Sequence, residues 1–463
     1  MSALAGVVSA VFWGVLLLST LVFVHEGGHF LAARAFGMRV TEFFLGMPCR
    51  LRLSRRSSRR GTEVGVTPIL LGGYTRICGM DGEPGEQAAA VLASLAARGR
   101  ASVAEVAADA GCSEDEALGC LATLTDWASV EPYFDASLGE HEGQRTWPNA
   151  FQTTRRDAHL LTAFDKGHDF SLPGSTEAGE PHGLPEGGAE ALLASERSRT
   201  YAGKGFVARV VTLLAGPAVN VVLGLALIAG VLSIGGVTVA RDVPVVGGVQ
   251  QGSLAEAVGV QAGDTIVRVA GEDVSTWTDM GERLRDAIQA GQPFELSCER
   301  DGASRDVTVD PSAASGQALF GITAQTEVYH PDLARSLGAA WNYVGLTVGA
   351  VAQMLQPAHT AEVVSQSSSV FGISVMASEA AASGARDFLF FAAAISLSLG
   401  IMNLIPIPPL DGGKILIELV QLVSRRRVPY RVQAGISYVG IALFMLLFVF
   451  VLRQDVIRFV LGG

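Results

Sequence analysis

Long apolar runs alternate along this chain with polar stretches rich in glycine and arginine, and that alternation lays out its elements. No charged residue occurs from Val7 through Val24, a run long enough for one bilayer-crossing helix of about 20 residues. The helical pattern continues to Phe36, where Gly37 can end it. Apolar runs over 206–235, 388–405 and 434–452 predict three further spans. Residues 332–356 are apolar as well, but a span there would move Arg425, Arg426 and Arg427 to the outside. That stretch is therefore expected to lie along the interface as an amphipathic helix.

Between the spans the period changes. Residues 62–78 read as short strands broken at Gly72-Gly73, within a membrane-associated β-hairpin or sheet over 38–84. Such a sheet can be a packed hairpin with no ligand, or can offer an edge to an extended peptide. Residues 85–135 form a compact helical unit, with helical patterns at 87–97, 102–109 and 113–124 and a strand-like tail at 127–134. That order resembles a winged helix-turn-helix. Residues 136–205 have scattered Gly, Pro, Glu and His with little periodicity up to about 200, and are expected to be a flexible linker. Residues 241–323 switch to strand and turn signals with one helix near 277–289. The runs Val245-Val246-Gly247-Gly248-Val249 and Gly263-Asp264-Thr265-Ile266 give this segment a resemblance to a PDZ domain.

Charge orients this plan. Arg34, Arg39, Arg50, Arg52, Arg55, Arg56, Arg59 and Arg60 follow the first span, and Lys204 and Arg209 flank the start of the second. Basic residues beside spans mark the cytosolic side. The expectation is a multi-pass protein of the cell (inner) membrane, with the N-terminus and the PDZ-like segment outside and residues 38–205 in the cytosol. Of the 463 residues 49% are hydrophobic and 17% charged, and the net charge is −11, which argues against a nucleic-acid binder. The helical unit agrees: its third helix opens Ser113-Glu114-Asp115-Glu116, which phosphate would repel. The 5 cysteines form no C-x-x-C pair, so no disulfide framework is implied.

The candidate chemistry lies at the end of the first span. His25-Glu26-Gly27-Gly28-His29 places two imidazoles one helical turn apart on one face, where they can share a zinc ion. Glu26 can serve as the general base toward a water in the open position. The alternative is a pair of interfacial histidines at a helix end. At the end of the third span, Asn403-Leu404-Ile405-Pro406-Ile407-Pro408-Pro409-Leu410-Asp411 stops regular helix and offers Asp411 as the carboxylate of a His₂–carboxylate site. The third segment, 388–413, is thus expected to be a span carrying the Asp ligand. Asn220, inside the second span, either contacts this site or bonds another helix.

Taken together, His25-Glu26-Gly27-Gly28-His29, Gly72-Gly73-Tyr74, Ala215-Gly216-Pro217-Ala218-Val219-Asn220, one PDZ-like segment and Asn403 through Gly413 resemble the site-2 protease family of intramembrane zinc metalloproteases, of the bacterial regulator-of-sigma-factor type. The resemblance implies one Zn²⁺ per chain bound by His25, His29 and Asp411, with Glu26 activating water. It implies a pre-trimmed single-span membrane protein as substrate, often an anti-sigma factor, held as a strand near Gly72 and Gly73 with Asn403 on its backbone. A peptide or C-terminus would occupy the PDZ groove, and membrane lipid would surround the spans. Two features differ from common relatives: Ser368-Ser369-Val370-Phe371-Gly372-Ile373 stands where Ser-Gly-Pro-x-Gly-Ile is usual, and those relatives have two PDZ domains or lack the 85–200 insertion. The fold class expected is a polytopic α-helical membrane protein with four transmembrane helices, a membrane-associated sheet, an external PDZ-like domain and a cytosolic winged-helix-like insertion.

Overall fold

The computed structural model describes residues 2–70, 72–80, 82–313, 320–354, 356, 368–426 and 428–460; Arg427, one of the orienting arginines, lies outside the described residues. The chain divides into two compact units, residues 1–228 with 339–463, and residues 229–338.

The first unit opens with α1 (Ser2–Ala35), a run of Leu, Val, Ala and Phe with no proline to interrupt it. Gly37, at φ 69°, turns the chain out of the helix in a backbone region that a side chain would disfavour. Four short strands follow: β1 (Val40–Leu45), β2 (Leu53–Arg56), β3 (Glu63–Val66) and β4 (Gly73–Ile77). They form one sheet in the order β2-β3-β1-β4, β1 running parallel to β3 and antiparallel to β4. β4 ends the sheet. The Thr75 hydroxyl donates to the Glu26 carbonyl at 3.1 Å, which fastens β4 to α1.

A helical module comes next: α2 (Ala88–Arg98), β5 (Arg100–Ser102), α3 (Val103–Ala110), α4 (Glu114–Asp126), β6 (Val130–Tyr133) and β7 (Ala150–Thr153), with sheet order β5-β7-β6. Ser102 and Ser113 each close a capping box with the glutamate three residues on, Glu105 and Glu116, which is why α3 and α4 start where they do. The core joins Leu95, Val106, Leu121 and Trp127 to Phe151 and Leu192.

Those last two residues correct the expected linker over 136–205. β7 is the central strand of the module's sheet, and α5 (Gly188–Ser198) packs on α2. The intervening loops are held by buried ions. Arg39 is 1% exposed and grips Asp165 with two bonds of 2.7 and 2.6 Å, and Glu196 with one of 2.6 Å. Arg156 donates to the other Glu196 oxygen at 2.8 Å. Glu196 and Asp165 are therefore held below the usual carboxylate range: burial alone would raise them, but the Arg156 and Arg39 guanidiniums outweigh it for Glu196, as Arg39 does for Asp165. Order that comes from ion pairs leaves no apolar period in the sequence. The loop reads as disordered although it is anchored.

α6 (Phe206–Gly235) then runs through Pro217 without ending. The second unit begins in its last turns. It holds β8 (Val237–Ala240), β9 (Val246–Val249), α7 (Leu254–Ala257), β10 (Thr265–Val269), β11 (Glu272–Asp273), α8 (Trp277–Gln289), β12 (Phe294–Arg300), β13 (Ala303–Val309), β14 (Ile322–Ala324) and β15 (Thr326–Tyr329). A four-stranded sheet, β11-β10-β12-β13, is accompanied by the pairs β14-β9 and β15-β8. Val246, Ile266, Met280, Leu296 and Phe320 share its core.

The remaining α-helices among the described residues are α9 (Leu333–Met354), α10 (Val370–Ser383), α11 (Ala385–Met402), α12 (Asp411–Ser424) and α13 (Tyr430–Val460). Among the described residues, four helical stretches are long and apolar enough to cross a membrane: Leu4–Ala35, Phe206–Gly235, Ala385–Met402 and Val432–Asp455. The expected third segment, 388–413, is not one element. The span ends at Met402, a non-helical turn with three prolines follows, and Asp411 opens a separate helix. α10, which no period in the sequence singled out, lies along α1, where Leu17 and Leu21 meet Ala377 and Ser9 bonds Ser378 at 2.7 Å.

Candidate metal centre

α1, α6 and α12 bring three donor groups together. His25 and His29 project from one face of α1, and Asp411 stands at the first position of α12. His25 Nε2 lies 3.1 Å from Asp411 Oδ2 and 3.2 Å from His29 Nε2, and His29 Nε2 lies 3.3 Å from Asp411 Oδ2. Both imidazoles are buried. Zinc bonds of about 2.0–2.1 Å in a tetrahedron would separate the donor atoms by about 3.3 Å. The three atoms thus stand as three corners of such a tetrahedron, leaving a fourth for water.

Surrounding groups fix which nitrogen each ring presents. His29 Nδ1 bonds the Thr212 carbonyl at 2.8 Å, so this nitrogen carries the proton and Nε2 keeps its lone pair. Pro217 follows close by in α6, and its missing N–H loosens the helix hydrogen bonding in this turn. The fully buried Asn220 amide faces His25 Nδ1 at 3.3 Å. If His25 gives Nε2 to a metal, its Nδ1 carries a proton, and Asn220 would accept it through Oδ1. A half turn of the amide achieves this and satisfies Oδ1, a buried oxygen otherwise without a partner. The donor set and its supports fit zinc.

Small residues make the approach possible. A Cβ on Gly28 would collide with the Ala215 carbonyl, and one on Gly216 would collide with both imidazole Nε2 atoms. The α1–α6 contact at the histidines depends on these two glycines. Neither Thr212 nor Gly216 stood out as a site residue in the sequence. For Gly216 the signal was present, as a small pair before Pro217; for Thr212 the working atom is a backbone carbonyl, which residue type does not encode.

Glu26 is half-buried beside the donors, and a Cβ on Gly73 would sit 3.5 Å from its Cγ, so the end strand β4 lies against it. Gly72 accepts a backbone bond from Gly46 at 2.7 Å. Asn403 caps α11; its carbonyl accepts from Gly412 N at 2.7 Å and its amide donates to Leu399 at 2.9 Å. It therefore holds the turn that delivers Asp411. Of the residues singled out in the sequence, His25, His29, Asp411 and Asn220 meet directly, Glu26 and Gly73 adjoin each other, and Asn403 acts on Asp411 through the backbone.

Comparison with known proteins agrees with this geometry. The profile of peptidase family M50 matches residues 13–447. The chain is 26% identical over 460 residues to the zinc metalloprotease RasP of Geobacillus kaustophilus, covering 96% of this chain and 97% of the relative. It is 26% identical over 452 residues to the zinc metalloprotease RasP of Shouchella clausii, covering 95% and 97%. It is 24% identical over 450 residues to the regulator of sigma-W protease RasP of Bacillus subtilis, covering 96% and 97%. With its apolar helices and its match over nearly the whole length, the chain belongs to peptidase family M50, the site-2 protease family of membrane zinc metalloproteases.

Proposed function

We propose that this zinc metalloprotease is an intramembrane endopeptidase. It hydrolyses a peptide bond in or beside the transmembrane segment of a pre-trimmed single-span protein, in the manner of regulated intramembrane proteolysis. His25, His29 and Asp411 hold one zinc ion, and Glu26 acts as general base and then acid. The observation that carries this reading is the mutual 3.1–3.3 Å spacing of the three donor atoms at one end of a candidate span. The name of the Bacillus subtilis relative, a regulator of sigma-W protease, favours an anti-sigma-factor-type substrate.

When bound, zinc supplies Lewis acidity to a water and to the scissile carbonyl. Glu26 takes the proton from the attacking water and returns it to the departing amide nitrogen, so the bond breaks without a free charge in an apolar site. A helical substrate must unwind first, because its peptide bonds are shielded and already hydrogen-bonded. β4 supports this step: it ends its sheet beside Glu26, and its edge at Gly73, with Gly72 just before it, can pair with an unwound strand. Asn403 would contact the backbone of that strand, while Asn220 serves the site by orienting His25.

The arginines after α1 favour residues 38–205 in the cytosol and the N-terminus and residues 241–323 outside, in the cell membrane. Residues 241–323 are read as a PDZ-like domain that takes a peptide or C-terminus, which the packing of α8 on β10 supports. The order α2-β5-α3-α4-β6-β7 supports a winged-helix-like module. Its acidic α4 start, Glu114-Asp115-Glu116, favours a protein contact over nucleic acid. Exposed Leu333, Leu337, Trp341 and Leu346 suit α9 to the interface.

The test is cleavage of a tagged single-span substrate in membranes by wild type and Glu26→Gln, with zinc measured in both. Wild type should cleave and Glu26→Gln should lose about 10²–10⁴-fold in rate at unchanged zinc content. Equal cleavage by both would overturn the mechanism.

A further inference from the structure

Two clefts apart from the metal centre share one character. The first, ≈ 320 Å³, is lined by Leu31, Arg34, Ala35, Arg59, Arg60 and Lys166 at the end of α1. The second, ≈ 300 Å³, is lined by Phe206, Arg209, Gln421, Leu422, Arg425 and Arg426, where α6 begins and α12 ends. The two lie at the same boundary of the membrane unit, because Ala33 at the end of α1 and Met38 just after it share a core with Leu213 and Ala208 at the start of α6. Each cleft therefore opens where a candidate span leaves the apolar layer.

One cation in each cleft, Arg34 and Arg209, is held in place, and the others are exposed with few anions near them. Arg34 donates to the Phe164 carbonyl at 2.7 Å, which fixes its guanidinium among Arg59, Arg60 and Lys166; no carboxylate lines this cleft. Three guanidiniums line the second cleft, and one of them, Arg209, pairs at 3.0 Å with Glu418, which does not line it. The Nε of Arg209 and the Oε2 of Glu418 are both buried without a hydrogen-bond partner, so this ion pair is imperfectly closed, and Arg425 and Arg426 are left exposed beside it. Both clefts also have an exposed apolar wall, Leu31 in one and Leu422 in the other. An inorganic anion has no use for that wall; an amphiphile does.

We propose that both clefts seat the phosphate headgroups of anionic phospholipids, with the acyl chains along the adjoining helices. Guanidiniums bind phosphate through paired N–H donors, and basic pockets between spans at a membrane face suit such headgroups.

Native mass spectrometry of the full chain released from detergent, with added phosphatidylglycerol or phosphatidylcholine, tests this without requiring protease activity. Phosphatidylglycerol should be retained in preference to phosphatidylcholine. Arg59→Gln with Arg60→Gln, or Arg425→Gln with Arg426→Gln, should weaken retention by about fivefold per arginine. The corresponding lysine pairs should keep most of it, which separates charge at the site from a folding defect. Exposed Arg50→Gln with Arg145→Gln is the control for net charge. Unchanged retention in both glutamine pairs would overturn the proposal, as would an equal loss in the control. Displacement of the lipid by millimolar inorganic phosphate would show an anion site rather than a headgroup site, and would overturn it as well.

Discussion

The chain buries two polar clusters in the same unit, and they are built on opposite terms. Around Arg39, three guanidiniums, those of Arg39, Arg156 and the half-buried Arg199, face two carboxylates, and nearly every carboxylate lone pair meets a donor within the protein. Around His25, two imidazoles face one carboxylate, all three turning lone pairs toward a common point. The first cluster finds all its counter-charges within the protein. The second is complete only with a cation. Buried polar groups are costly in both places, so the difference bears on what each is for: one joins segments, and the other, in the function proposed above, receives a metal.

Removing Arg39 should have the largest effect on the first cluster. Arg39→Ala leaves buried Asp165 with only the Arg199 guanidinium at 3.6 Å and takes from Glu196 one of its partners, and should destabilise the chain by about 3–5 kcal/mol. Thermal unfolding followed by Trp127 fluorescence, together with proteolysis within 86–200, would measure it. Zinc content should hold in any surviving folded fraction. The reverse perturbation is Asn220→Ala, which leaves the Arg39 cluster intact. Loss of the group that orients His25 should weaken zinc binding by about 10–100-fold, read by competition with a chelator, with little change in unfolding. If Asn220→Ala unfolds the chain with zinc still tightly held, then Asn220 is interhelical glue and not a support for the site.

A smaller effect comes from pH. The carboxyls of Glu196 and Asp165 are depressed in the folded chain. Their contribution is therefore full above the unfolded carboxylate range, about pH 4–4.5, and is lost as pH falls through it toward the folded values. Stability should be flat from about pH 7 to 5 and decline below about pH 4. Arg39→Ala should flatten that decline, since it removes the main cause of depression for Asp165 and a shared one for Glu196. A decline of the same steepness in the variant would assign the acid sensitivity elsewhere.

How much of this was legible in the sequence follows the same division. The spans were visible because uninterrupted apolar residues have few other uses, and the His25–His29 spacing because a helix repeats every turn. Asp411 could be singled out because prolines and an acidic residue at membrane depth are conspicuous, but its place at the start of a new helix could not: the turn after Met402 depends on the Asn403–Gly412 backbone bond. Residues 136–200 were misread. β7 and α5 contribute only isolated core residues, Phe151 and Leu192, and the loops between them rest on Arg39, Arg156, Asp165 and Glu196, charged residues that in a linear reading look solvated. Periodicity detects burial of apolar surface; it does not detect burial of balanced charge.

Arg39 also bears on how the insertion can be studied. It sits between α1 and β1, while its partners Trp127, Ser129, Asp165 and Glu196 all belong to the inserted segment. Excising residues 85–200 would strip this arginine of every one of these partners at once, next to the strand that pairs with β4 and so two steps from Glu26. A truncated chain that failed to cleave would then report a broken hinge pin as readily as a missing signal. The informative truncation replaces Arg39 with a small polar residue in the same construction, so that what is lost is the module and not the joint that holds it.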